Sequence, residues 1–255
     1  MTKITGTLHA DDGGVGDPPI VFVHSAAGNG GQWAAQLAHV RRSRRAITVD
    51  LRGHGRSPVG AGASDFDIPA LARDVGATLD ALGAGRVILV GHSLGGSVCV
   101  SLAGARPDRV AGLLLVDPSG DGRLVPKDQA AGMMAALRSE ASYRAAIEGY
   151  WASLIVASSE PVRVRIMQDL RDTPPATVIG ALESLLTFDP VTPLCAYAGP
   201  RLSLVSAANE SPNALHALVP DLPHRKVDGV GHWIQLDAPA AVNEVLDQFV
   251  ARHHL

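Results

Sequence analysis

At 255 residues, with 46% hydrophobic and 18% charged side chains, the chain carries enough apolar material for a substantial core, which excludes global disorder. Lys and Arg number 22 against 25 Asp and Glu, a formal charge of −3, so no large basic field is offered to nucleic acid; no apolar run approaches the roughly 18 residues of a membrane span. The opening MTKITGTLHADDGG lacks the apolar stretch of a secretory signal, and Cys99 and Cys195 make neither a disulfide framework nor a CxxC metal pair. These features predict a soluble, cytoplasmic protein of a size that a single α/β domain commonly reaches.

With aromatic residues at only 4%, the interior has to be filled by Ala, Val, Leu and Ile. Five short apolar runs read as buried parallel strands: 20–23, 46–49, 87–90, 112–116 and 202–205. Between them lie stretches with helical spacing. Residues 32–40 form the first, and the arginine-rich run 41–45 behind it reads as a solvated surface between helix and strand. Residues 68–82 repeat Leu71, Val75, Thr78, Leu79 and Leu82 at intervals of three and four, and 94–105 follow, stopped by Arg106-Pro107 because proline cannot continue a helix. The last helix, 240–251, sets Val242, Val245, Leu246 and Phe249 on one face. Alternating strands and helices predict an α/β fold with a mostly parallel central sheet and helices on both faces. The alternation fails over 119–190, where the pattern is helical throughout and Pro161 and Pro174-Pro175 break the segments. A stretch of that length predicts a helical insertion, dividing the chain into a core of 1–118 with 191–255 and an inserted unit of 119–190.

The strongest local signal is Gly91-His92-Ser93-Leu94-Gly95-Gly96, which follows the apolar run 87–90 and opens the helix 94–105. In a strand–turn–helix this tight, the central serine takes strained backbone angles, and side chains at Gly91 and Gly95 would collide. The serine hydroxyl then projects at the carboxyl ends of the strands, above a helix N-terminus that favours developing negative charge. Three further motifs accompany it: Val21-Phe22-Val23-His24; Asp50-Leu51-Arg52-Gly53-His54-Gly55-Arg56-Ser57; and Gly229-Val230-Gly231-His232-Trp233.

In the order and spacing of these four motifs the chain resembles the α/β-hydrolase superfamily, and within it the serine esterases. The resemblance implies an eight-stranded, mostly parallel sheet, shortened here if anywhere at its N-terminus, and makes the insertion a helical cap following the sixth strand, laid over an active site.

A serine hydroxyl is a poor nucleophile without a base whose pKa lies near neutrality, and histidine fits that need. The resemblance assigns the base to His232. It gives His24 the ordering of an oxyanion loop, His54 the bracing of a turn, and turns His92 toward the cap or a neighbouring strand; His9, His39, His216, His224, His253 and His254 read as surface residues. No H-x-x-x-H pair or similar spacing points to zinc, and no cofactor is implied. The third group, which orients the imidazole, departs from the family pattern. Relatives place an aspartate after the strand at 202–205, where this chain has Ser206-Ala207-Ala208-Asn209-Glu210, with Asn209 at the expected position. Asp117, at the end of strand 112–116, is the first choice and Glu210 the second. The oxyanion donors expected are the backbone N–H of Leu94, the residue after the nucleophile, and by resemblance that of Ala26 in the loop His24-Ser25-Ala26-Ala27-Gly28. Ser25 stands where many relatives have glycine, and reads as a residue that turns the chain.

Related dehalogenases and epoxide hydrolases carry aspartate at the elbow, so Ser93 argues against both. Ester or lactone hydrolysis of a small, largely apolar molecule ranks first, with methionine-bearing helices over the site. Carbon–carbon hydrolysis of dienoic keto acids ranks second, and a non-catalytic ligand-binding member of the fold is the alternative outside catalysis. The expected partner is a small-molecule ester, with no nucleic acid and no membrane span; oligomeric state is unread.

Overall fold

Eight strands form one sheet in a computed structural model that describes residues 2–5, 8–59 and 66–255, side chains included from Leu8 onward. In chain order they are β1 (Thr2–Thr5), β2 (Leu8–Gly13), β3 (Ile20–Val23), β4 (Ala46–Val49), β5 (Val87–His92), β6 (Val110–Val116), β7 (Arg201–Ser206) and β8 (His224–Val227). Their order across the sheet is β1-β2-β4-β3-β5-β6-β7-β8. Strand β2 runs antiparallel to both neighbours, and every other pairing is parallel. Strands β3 to β6 are buried along their whole length, as continuous apolar runs require when both faces of a sheet are covered.

Helices cover both faces. On one lie α1 (Ala34–Val40) and the C-terminal α11 (Pro239–Arg252), packed on Phe22, Val90 and Leu114. On the other lie α2 (Ile68–Ala81) and α3 (Leu94–Ala105), and their core continues without a break into α4 (Lys127–Arg138), α5 (Tyr143–Leu154), α6 (Glu160–Asp172) and α7 (Pro175–Thr187). These four, inserted between β6 and β7, are the strandless stretch read from the sequence. Three short helices complete the fold: α8 (Val191–Ala196), α9 (Leu215–Leu218) and α10 (Ile234–Asp237). Among the described residues no helix is long and apolar enough to cross a membrane.

Several expectations need correction. The sheet is not shortened at its N-terminus, because β1 and β2 extend it; β2 (LHADDG) shows no apolar alternation. Its Asp11 and Asp12 are matched by the arginine run, with Arg41 3.1 Å from Asp11 and Arg45 2.8 Å from Asp12, while Arg44 donates to the Leu255 carbonyl at 2.7 Å. Arg41, Arg44 and Arg45 therefore brace β2 and Leu255, and only Arg42 and Ser43 of the run are exposed. His9 is also not a surface residue. It is 8% exposed on β2, with its Nδ1 3.1 Å from Asp50 Oδ2 across the β2–β4 pairing.

Candidate active site

Ser93 closes β5 with φ 53° and ψ −117°, left-handed for a residue with a side chain. Two residues to either side of it only glycine fits. A Cβ on Gly91 would strike the Gly95 carbonyl and the Cys99 sulfur, and one on Gly95 would strike the carbonyls of Val23 and His24 on the neighbouring strand. Leu94 follows as the first residue of α3, so its N–H belongs to the group of helix-start amides that have no acceptor within the helix.

Asp117 directly follows strand β6, which lies beside β5; it also has a positive φ of 43° and is fully buried. Its carboxylate is surrounded by donors. Oδ1 accepts from the Ser206 N–H at 2.7 Å and from Asn209 Nδ2 at 3.3 Å; Oδ2 accepts from Ser206 Oγ at 2.9 Å and faces His232 Nδ1 at 2.6 Å. Burial pushes this carboxyl up, but the His232 hydrogen bond and charge, with the two bonds from Ser206, outweigh it and hold the group below the ordinary carboxylate value. An ionised Asp117 puts the proton of a neutral His232 on Nδ1 and leaves the lone pair on Nε2.

The two alternatives for the acid lie otherwise. Asn209 donates to Asp117 and to the Pro118 carbonyl at 2.9 Å, so it supports the carboxylate rather than replacing it. Glu210 is exposed and pairs with Lys226 at 2.9 Å.

His92 does not face the inserted helices. It is buried beneath the His232 loop, with Nε2 donating to the His232 carbonyl at 2.9 Å and Nδ1 accepting from Gln235 Nε2 at 3.1 Å. Burial drives its pKa well down, and the neighbouring His232 adds to this, so it stands neutral against the His232 ring, 4.7 Å between centroids. His24 donates from Nδ1 to the Ser25 carbonyl at 2.7 Å and accepts the Leu51 N–H on Nε2 at 2.9 Å; burial lowers its pKa too. It thereby fixes the start of the loop that carries Ala26. Ser25 Oγ donates within that loop, to the Ala26 carbonyl at 3.2 Å, and Ala27 adopts a φ of 52°. His54 donates to the Arg52 carbonyl at 2.9 Å and braces its turn, with burial pulling its pKa to about 3.

Ser25, Ala26, Ser93, Asp117 and His232 all line one cavity of about 500 Å³. The inserted helices contribute an apolar wall that includes Met133, Trp151, Leu154, Leu182 and Leu186; Gln129, Asn209, Ser211 and Asn213 make a polar part. The hydroxyl of Ser93 meets that of Ser119 at 3.3 Å. Sequence reading had passed over Ser119, whose only signal is its place two residues after Asp117 at a strand end. Ser206 stands in the sequence only as the start of the segment after β7, with no signal for its bonds to Asp117, and Asp237 flanks the His232 loop without standing where the family keeps its acid; it accepts from Gly231 N at 3.1 Å, Ser158 Oγ at 2.7 Å and Ser159 N at 3.1 Å and so ties the His232 loop to the turn between α5 and α6.

A mostly parallel sheet with helices on both faces, a strained serine between strand and helix, and a histidine–carboxylate pair beside it define the class. Residues 18–239 match the alpha/beta hydrolase fold family, and the chain belongs to that family. Curated relatives include lipase LipV of Mycobacterium tuberculosis, 41% identical over 44% of this chain and 42% of LipV. The sn-1-specific diacylglycerol lipase ABHD11 of Mus musculus is 28% identical over 94% of this chain and 83% of the mouse protein. The chain spans less than half the length of the first curated relatives it matches. Among solved structures, the enol-lactonase of Burkholderia xenovorans LB400 shares the fold with a TM-score of 0.84 at 22% identity, covering 98% of this chain and 100% of that one.

Proposed function

We propose that the protein is a cofactor-free serine hydrolase that cleaves a carboxylic ester or lactone of a small, largely apolar molecule through an acyl-enzyme. The observation that carries this reading is the 2.6 Å contact of His232 Nδ1 with the buried Asp117 carboxylate, on a cavity that also exposes Ser93. His232 Nε2 takes the Ser93 proton as Oγ bonds to the ester carbonyl carbon. The resulting oxyanion meets the N–H groups of Ala26 and Leu94; losing one such donor costs about 10²–10³ in kcat in a comparable hydrolase. The imidazolium, stabilised by Asp117, then protonates the departing alkoxide, and water repeats the sequence to release the acid. In the resting site the Ser119 hydroxyl holds that of Ser93, and substrate binding turns Oγ toward His232.

In this reading residues 119–190 are a cap over the core 1–118 and 191–255, and their apolar wall receives the acyl or alcohol chain. The test is a panel of p-nitrophenyl esters, lactones and a keto-dienoate, assayed with the parent chain and Ser93→Ala. Ester turnover that disappears in Ser93→Ala, with an acyl adduct on the parent protein by mass spectrometry, is the expected result; turnover by Ser93→Ala at the parent rate would refute the reading.

A further inference from the structure

The oxyanion loop is not held by the core alone. Asp169, on α6 of the inserted helices, has a carboxylate only 11% exposed. Its Oδ1 accepts from Asn29 Nδ2 at 3.1 Å and its Oδ2 from Gln32 Nε2 at 2.8 Å, with Arg165 Nε 3.3 Å away on the same helix. Both partners belong to the loop that starts at His24. Gln32 is buried, and its Oε1 lies 3.5 Å from Ser25 Oγ, next to Ala26; Asn29 Oδ1 caps the Gly31 N–H at 3.0 Å. Between these anchors sits Ala27 with its positive φ, a conformation that persists only where the surroundings over-determine it. The core anchors the loop from below, through His24 and through Asp50, which accepts the Gly30 N–H at 2.6 Å. Asp169 is the anchor from above.

We propose that Asp169 is a positioning residue for the oxyanion hole: its two bonds to Asn29 and Gln32 make the seating of α6 a condition for the Ala26 N–H to point at the reacting carbonyl. This rests on the esterase reading above. A carboxylate suits the role because it accepts from both amides at once. An amide in its place can accept only one and turns an NH2 group against the other. A misaligned donor weakens an interaction that matters most in the tetrahedral state, so kcat falls while substrate binding stays.

The experiment uses p-nitrophenyl butyrate turnover together with inhibition by butylboronic acid, which binds Ser93 as a tetrahedral adduct with an oxygen in the hole. Asp169→Asn is expected to lower kcat by about ten- to a hundredfold, with KM changed less than about threefold and boronic acid inhibition weakened in step with kcat. Gln32→Glu alone opposes two carboxylates and lowers kcat further. Combining it with Asp169→Asn restores one donor facing one acceptor and recovers part of the loss. Asn29→Ser keeps an acceptor for the Gly31 N–H but cannot reach α6, and gives a several-fold loss of kcat in a chain that still folds. An unchanged kcat in Asp169→Asn and Asn29→Ser, a rise confined to KM, or boronic acid inhibition indifferent to these changes would overturn the assignment. Ser93→Ala run alongside separates the two failures. If it is inert while the Asp169 and Asn29 variants match the parent, only the Asp169 assignment falls; if it remains active, the esterase reading falls as well.

Discussion

Two pairs of residues meet at the cavity, and they are held in different ways. Ser93 and Asp117 stand at the ends of adjacent, fully buried strands, and their strained backbones are clamped by glycine, by neighbouring carbonyls and by Ser206. Ala26 and His232 stand on loops whose other side is bonded to the inserted helices. Asp169 ties down the first, and the second is held by Asp237 with Ser158 and by the Leu154 carbonyl, which accepts the His232 N–H at 3.1 Å. The sheet places Ser93 and Asp117, whereas His232 and Ala26 take their places partly from helices outside it. Residues of the first kind are expected to act nearly all or none, and residues of the second kind to be adjustable.

The largest effect expected is that of Ser93→Ala, a loss of about 10⁶ in kcat with the melting temperature little changed. Asp117→Asn follows, at about 10⁴, while Glu210→Gln stays within about twofold. Equal small losses in these two would deny Asp117 its role and with it the sheet-held half of the comparison. On the loop side, Asp237→Asn is expected to cost about tenfold in kcat, because it loosens Gly231 against Ser158 without removing any reacting group. A loss as large as that of Asp117→Asn would erase the distinction between the two pairs. The smallest effects concern stability. His24, His54 and His92 are buried with pKa values pulled below 6.5, so the unfolded chain takes up protons first as the pH drops. Their stabilising contribution is complete above about pH 6.5 and declines below it toward the folded-state values, approaching about 1.4 kcal/mol per pH unit for each histidine. Urea midpoints measured from pH 7.5 down to 5 test this, and His54→Gln should make the decline shallower.

The core strands β3 to β6 were legible because both their faces are buried, which leaves a plain apolar run. Strands β2 and β8 were not, since their side chains pair with arginines or face solvent. Ser93 could be named because a motif of six consecutive residues encodes the whole turn. Asp117 stood beside Glu210 in the sequence because β6 and β7 end close together; that Asp117 meets His232 while Glu210 pairs with Lys226 is a tertiary fact without a local signal. The burial of His9 against Asp50 and of His92 under the His232 loop depends on pairings between elements distant in the chain. The bridges from Asp169 and Asp237 are likewise tertiary, and no local spacing announces them.

Ala27, Ser93 and Asp117 are three of the four non-glycine residues with positive φ among those described, and all three border the cavity or the loop beside it. Conformations of that kind cost of order 1–3 kcal/mol each, so a fraction of this chain's folding free energy is withheld at the place where it would react. Engineering for heat tolerance would find its easiest gains there, beginning with Ala27→Gly, and each gain would be a step toward a sturdier and slower protein.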